Sequence, residues 1–152
     1  NKKMKSIKYL FLVLFLSLSV AQAQQYRFKT TGFMVSEKTR FGEWGVWSKF
    51  QKSEMIVVLD ADKDRIVVYS EALQLFNIVK YYDKKETKEG NVVSFLCIDN
   101  AGIECDISIF TRKDKNNLKQ LYIYYEDRVV VYNMNLLSDK PKENKKTKKG
   151  AK

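Results

Sequence analysis

The sequence has no histidine among its 152 residues. This absence excludes Ser-His-Asp and Cys-His catalysis, general acid–base chemistry by imidazole, and zinc sites that need a histidine ligand. The chain also has only one proline and six glycines, and no two glycines form the G-x-G or Walker pattern of a phosphate-binding loop. We therefore expect neither an enzyme activity nor a cofactor.

The sequence also has no excess of acidic residues, and its excess of basic residues is distributed unevenly along the chain. Of 28 basic and 18 acidic residues, the segment 24–137 holds 17 and 16, so this body of the chain is nearly neutral. It lacks the clustered Lys and Arg of a nucleic-acid-binding domain, and no nucleic-acid partner is expected. The Lys-rich tail over 138–152 has too few apolar residues to fold and is predicted to be disordered. It serves either as a solubilising tail or as a segment that adheres to an anionic polymer.

The first 23 residues have the three parts of a secretory signal peptide, after a short extension that precedes Met4. Lysines lead into an apolar run over 9–16, and Ala21-Gln22-Ala23 forms a small-residue cleavage site. The run is shorter than the roughly 17 to 25 apolar residues that cross a bilayer, so cleavage after Ala23 is favoured over a stable transmembrane anchor. The sequence predicts a secreted or periplasmic protein with one folded domain over 24–137.

Short runs rich in Val, Ile, Tyr and Phe follow the leader, separated about every eight to twelve residues by charged or glycine-containing breaks, which is typical of an antiparallel sandwich or barrel. The segment 71–80 also fits a helix, but a strand is favoured because the segment ends in β-favouring residues. The predicted fold is an all-β antiparallel meander of eight or nine short strands that forms a small barrel or sandwich. Its strands are predicted at 26–36, 43–50, 54–59, 65–70, 73–82, 91–98, 103–111, 119–125 and 128–136.

The two cysteines lie on one predicted hairpin. A three-residue loop between its strands pairs Cys97 with Cys105, and places Phe95 opposite Ile107 on the same face. Opposed strand residues have Cα atoms about 4.5 to 5.5 Å apart, a separation that a disulfide can span. An intrahairpin disulfide is therefore favoured in an exported protein over two buried free thiols.

The last predicted hairpin turns at Glu126-Asp127, which pairs Ile123 with Val130, and one of its two faces carries a mixture of polar and apolar side chains. This part of the sheet is therefore predicted to be partly covered on both sides. Trp47, Tyr122 and Tyr124 are the candidates for a binding surface, because exposed aromatic rings offer rigid contact area to sugars or proteins. Ordinary packing as strand residues is the alternative.

Asp60, Asp62 and Asp64 stand at alternate positions, as carboxylates do in a calcium loop. The sixth position, however, is Arg65, where the sharp turn of such a loop needs glycine, and a strand follows in place of a helix. A polar hairpin turn is therefore favoured, and no metal site is expected.

Gly42-Glu43-Trp44 resembles the G-x-W motif that opens the first barrel strand of lipocalins and related calycins. The resemblance implies that Trp44 closes one end of a barrel, with Arg128 from the last strand packed over its ring, and that a small apolar ligand lies inside. A smaller barrel filled by its own side chains is the alternative. Because Trp47 follows at a spacing of three, one tryptophan is expected in the core and the other at the surface.

Three functions follow from these features, in order of preference. The first is an exported, non-enzymatic β-domain that binds a protein or an envelope polymer. The second is a calycin-type carrier of a small apolar ligand, which needs an internal cavity. The third is an exported hydrolase that uses two convergent carboxylates.

Overall fold

The computed structural model describes residues 25–137 and folds this part of the chain into ten strands and one single-turn 3-10 helix. The helix is Lys113–Lys115. The strands are β1 (Gln25–Glu37), β2 (Gln51–Lys52), β3 (Ile56–Asp60), β4 (Arg65–Tyr69), β5 (Gln74–Tyr81), β6 (Lys85–Glu86), β7 (Gly90–Asp99), β8 (Glu104–Arg112), β9 (Leu118–Tyr124) and β10 (Arg128–Leu136).

Eight of these strands form a closed antiparallel barrel. Their order is β10-β9-β8-β7-β5-β4-β3-β1, and β1 pairs again with β10. The two-residue strands β2 and β6 flank the barrel, paired with β1 and β7. Closure removes the unpaired strand edges that an open sheet would expose. The predicted antiparallel meander is confirmed, and it forms a barrel.

The eight barrel strands correspond to eight of the nine predicted strands, and the ambiguous segment 71–80 contributes to a strand. Both predicted hairpin registers are confirmed. Cys97 lies opposite Cys105, and Ile123 lies opposite Val130. In each hairpin the alternation of apolar residues assigns one face to the interior, so a slip of one residue would turn that face outward.

Inward-facing side chains fill the middle of the barrel. Phe76, Ile107 and Leu121 are among those almost completely buried, and they belong to one continuous hydrophobic core. The barrel is therefore filled at its centre by its own side chains, which was the alternative to a roomy ligand cavity.

The ninth predicted strand, over 43–50, is wrong. This segment runs beside the second half of β1 but pairs with it only at intervals, through the Gly45 N–H to the Glu37 carbonyl and the Ser48 N–H to the Val35 carbonyl, both at 2.8 Å. The Ser48 hydroxyl accepts the Val35 N–H at 2.9 Å, where a regular ladder would place a backbone carbonyl. The side chain thus interrupts the ladder that the residue pattern suggests.

The predicted signal peptide and Lys-rich tail lie outside the described residues. Within 25–137, no helix combines the length and apolar character needed to cross a membrane.

Candidate functional site

Four aromatic side chains line one groove on the outer wall of the barrel, with a volume of about 350 Å³. Tyr122 and Tyr124 form one wall from β9, and Trp44 and Trp47 form the other from the segment after β1. All four rings remain partly exposed. We call this site the aromatic groove.

The floor of the aromatic groove is made by Ser36 and Val129, which are paired across β1 and β10 and are both buried. The pairing that closes the barrel therefore also creates the groove. It brings the segment after β1 next to the outer face of β9. The predicted partial covering of this part of the sheet on both sides is therefore observed.

In the tyrosine wall, Tyr122 is held by hydrogen bonds that lead along β9 and then across to β10. Tyr122 and Tyr124 leave β9 on the same face, and their rings stack with centroids 5.7 Å apart and planes inclined by 12°. The Tyr122 hydroxyl donates to Gln120 Oε1 at 3.3 Å, and the Gln120 amide donates to Asn133 Oδ1 at 3.0 Å. Burial, with a smaller effect of Tyr122, raises the pKa of Tyr124, so its hydroxyl stays protonated.

The tryptophan wall depends on two glycines. Gly42 has φ = +78° in the turn before Trp44, a conformation that glycine adopts without strain. Gly45 approaches β1 so closely that a Cβ atom there would lie 2.9 Å from the Glu37 carbonyl oxygen. Trp44 itself forms a β-bridge with Lys38, whose ammonium lies 5.1 Å from the centroid of the indole ring.

The expected division of the two tryptophans between core and surface is wrong. Trp44 is 50% and Trp47 is 49% exposed, and both face the same groove. The expectation assumed a regular strand, in which a spacing of three reverses the face, whereas this segment is irregular. The structure thus unites the predicted surface residues Trp47, Tyr122 and Tyr124, and adds Trp44, which the sequence had assigned to closing the barrel.

The expected pair of Trp44 and Arg128 is also corrected. The cation over Trp44 is Lys38, whereas the guanidinium carbon of Arg128 lies 4.0 Å from the centroid of the Tyr125 ring. Trp44 packs on the outer wall because the G-x-W motif follows the first barrel strand in this chain instead of opening it.

Arg128 and Tyr125 belong to a polar cluster at one end of the barrel. Asp99 accepts hydrogen bonds from the backbone N–H groups of Ala101 and Ile103 and from the Tyr125 hydroxyl, each at 2.9 Å. Burial opposes ionisation of Asp99, but these hydrogen bonds, with the nearby positive charge of Arg128, hold its pKa below the usual value.

We expect Asp99 to contribute to the acid sensitivity of the fold. A carboxylate with a lower pKa in the folded state stabilises the protein above its unfolded pKa of about 3.9, and this stabilisation is lost as the pH falls towards the folded pKa. Asp99→Asn should therefore flatten the fall in unfolding free energy below about pH 5, measured by urea unfolding at a series of pH values. An unchanged slope for Asp99→Asn would contradict the assignment.

Cys97 and Cys105 face each other in the core, both buried and both free thiols. The predicted pairing of the two residues is confirmed, but the predicted disulfide is not present in the structure. Burial, followed by the charge of neighbouring groups, raises the pKa of Cys97 to about 12 and that of Cys105 to about 11. Since the thiolate is the reactive form, both residues are poorly reactive while the barrel is closed.

The three aspartates at the end of β3 and in the turn before β4 do not converge on one point. Asp60 accepts a hydrogen bond from the Lys63 N–H at 3.1 Å, Asp64 accepts one from the Tyr81 hydroxyl at 2.5 Å, and Asp62 is exposed. The segment is the hairpin turn favoured by the sequence. Over residues 25–137, no three Cys, Asp or Glu side chains are grouped to hold a metal ion.

A second concavity, of about 510 Å³, opens at the end of the barrel opposite Asp99. We call it the end cup. Inward-facing residues such as Phe28, Phe95 and Ile109 form its apolar wall, and Lys84 and Lys119 lie among its polar lining residues. It is an open depression above a filled core.

Comparison of the chain with protein-family models, with curated proteins and with solved structures finds no match in any of the three. The function is therefore argued from the geometry of the aromatic groove and the end cup.

Proposed function

We propose that the protein is an exported, non-enzymatic module that binds an extended envelope polymer in the aromatic groove. The observation that carries the proposal is the convergence of four partly exposed rings, from two distant parts of the chain, on one face. Tyrosine and tryptophan provide large contact area at a small loss of side-chain entropy. The signal-peptide pattern of the first 23 residues supports export.

The dimensions of the aromatic groove favour a narrow chain over a folded protein. A stable protein interface covers about 800 Å² on each partner, usually on a broad surface. The aromatic groove is instead a concave site of about 350 Å³ between two walls of rings. A polymer strand can lie between these walls and contact both, whereas a globular partner would reach mainly their edges.

Removing either wall of the aromatic groove should weaken polymer binding about tenfold or more, as expected when a central aromatic contact is lost. We would compare Trp47→Ala and Tyr124→Ala with the wild-type mature protein, by affinity electrophoresis in gels that contain envelope polysaccharides from the exporting host.

Tyr69→Ala is the matched control, because Tyr69 is a tyrosine on β4, 52% exposed and outside the aromatic groove. It should bind like the wild type. Equal losses in all three variants, or no retention of the wild-type protein in any gel, would contradict the proposal.

A calycin-type carrier of a small apolar ligand is the second candidate, and the end cup favours it. Its volume of about 510 Å³ lies within the range of roughly 300 to 1,000 Å³ for small-molecule sites, and its wall is largely apolar. Native mass spectrometry of protein purified from the exporting host should then detect a noncovalent mass that is lost on denaturation. A bare protein would count against the carrier.

We also propose that Cys97 and Cys105 form a disulfide after export, before the barrel closes over them, with two hydrogens passing to a thiol oxidant of the exporting compartment. Support comes from their direct opposition across β7 and β8, where Cα separations suit a disulfide, and from the oxidising conditions that exported proteins meet. The intact mass of the exported protein should be lower by two hydrogens than that of the same sample after reduction. Identical masses would contradict the proposal.

A further inference from the structure

We infer that the polymer is a neutral glycan whose chain runs from the aromatic groove across β8 and β7. This inference rests on the proposed function. A second groove, of about 630 Å³, meets the aromatic groove at Tyr124, which lines both. Its remaining lining residues are mainly polar and carry hydroxyl, carboxylate and ammonium groups: Tyr82, Asp83, Lys85, Ser94, Asp106 and Ser108. We call it the polar groove.

The polar groove continues the rows of side chains that the tyrosine wall begins. Across the sheet, Ser94 is paired with Ser108 and Ser108 with Tyr122, while Asp106 is paired with Tyr124 in the next row. Residues paired in this way project from the same face of neighbouring strands. On the outer face, a hydrogen-bonding side chain of β8 therefore lies next to each stacked tyrosine ring of β9.

The polar atoms in these rows can both donate and accept hydrogen bonds. The Ser94 and Ser108 hydroxyl oxygens are 2.8 Å apart, and the Tyr82 hydroxyl donates to Asp106 Oδ1 at 3.2 Å. Burial, and next to it the Asp106 carboxylate, raises the pKa of Tyr82, so this hydroxyl remains a donor. Asp106 is itself exposed, and a charged acceptor makes stronger hydrogen bonds than a neutral one.

A sugar ring matches this combination of groups. One face of a pyranose presents C–H groups that pack on an aromatic ring, and its edge presents hydroxyls that donate and accept hydrogen bonds. An aliphatic chain would displace the water that hydrogen-bonds the exposed Asp106 carboxylate and the remaining lone pairs of the serine hydroxyls, and would offer no replacement, which carries a desolvation penalty.

Peptides and polyanions fit the two grooves less well. A peptide that adds to a sheet needs an unpaired strand edge, but β7, β8, β9 and β10 are each paired on both sides. A polyanion would meet the carboxylates of Asp83 and Asp106 with only Lys85 to offset them in the polar groove. The chemistry therefore favours a chain of uncharged sugars.

The test is isothermal titration of the mature protein with neutral oligosaccharides of increasing length, represented by glucose and N-acetylglucosamine oligomers, and with alginate as a polyanionic glycan. Because the grooves meet at Tyr124, only a ligand of several units reaches both. We expect an oligomer of one neutral series to bind about tenfold or more tightly than its monosaccharide, and alginate to bind no better than that monosaccharide.

Asp106→Ala should weaken binding of the long neutral oligomer about tenfold. Glu104→Ala is the matched control, because Glu104 is an exposed acid two positions earlier on β8, outside the polar groove. It should bind like the wild type, and circular dichroism should show all variants folded.

The outcomes distinguish a failure of the glycan inference from a failure of the proposed function. If Trp47→Ala lowers polymer binding while Asp106→Ala does not, or if alginate is preferred, the glycan inference fails and the proposed function stands. If neither substitution affects polymer binding, both fail.

Discussion

Phe76→Ala should lower the free energy of unfolding by about 3 to 5 kcal/mol, as expected when a large buried aromatic side chain is removed. Phe76 is 1% exposed and is the largest of the fully buried side chains. It stands on β5 opposite Ile66 of β4 and belongs to the continuous core. Neighbouring strands of a closed barrel cannot shift independently to fill the cavity, so little of the loss should be recovered by relaxation.

This loss is large compared with the roughly 5 to 15 kcal/mol that typically stabilises a small domain, so one such substitution can unfold the protein. Urea unfolding, followed by tryptophan fluorescence, would measure the loss of unfolding free energy. If the alanine variant does not fold, Phe76→Leu, which retains most of the side-chain volume, can be compared with the wild type instead. Val79→Ala is the control on the same strand, where Val79 is 54% exposed at a bulge. It should change stability by no more than about 0.5 kcal/mol, and similar losses in the two alanine variants would contradict this explanation.

The barrel strands were predictable because local signals agreed with one another. In the hairpin of β7 and β8, the position of Gly102 in the loop and the alternation of apolar residues select the same register. Gly102 has φ = +80° in the structure, as such a loop requires. The number of strands allowed either a barrel or a sandwich, and the pairing of β1 with β10 in the structure establishes the barrel.

The grooves were only partly predictable, because they depend on contacts between distant parts of the chain. Tyr122 and Tyr124 were identified from their alternation, but Trp44 joins them only because β1 pairs with β10. Tyr82 similarly reaches Asp106 through pairing between the intervening strands. No local sequence pattern predicts these contacts between residues that are distant in the chain.

The failure over 43–50 has a different origin. The composition of this segment suits a strand, but Ser48 supplies a side-chain oxygen to the Val35 N–H and so replaces a backbone partner. Serine side chains that bind nearby backbone groups compete with regular structure. A pattern of apolar residues does not reveal whether the side-chain or the backbone hydrogen bond forms.

Gly90→Ala should be as damaging as a large truncation in the core, although it adds a single methyl group. Gly90 begins β7 with φ = +152°, which side chains rarely allow, and it is paired with Arg112. A Cβ atom there would lie 1.8 Å from the carbonyl oxygen of Thr111 and 2.8 Å from its carbonyl carbon. Because these are backbone atoms, no side-chain rotation relieves the clash, and the start of β7 must move away from β8.

Gly102→Ala separates the effect of the clash from that of backbone strain. Gly102 also has a positive φ, of +80°, but no heavy atom lies within 4 Å of the place that an added Cβ atom would occupy, so only strain of about 1 to 3 kcal/mol is added. Urea unfolding should show a clearly larger loss for Gly90→Ala than for Gly102→Ala. Hydrogen exchange should also quicken at the Lys113 N–H, which donates to the Glu89 carbonyl at 2.8 Å beside the displaced strand end. Equal losses in the two variants would mean that β7 accommodates the methyl group, and that the close approach of Gly90 to Thr111 is not needed for the fold.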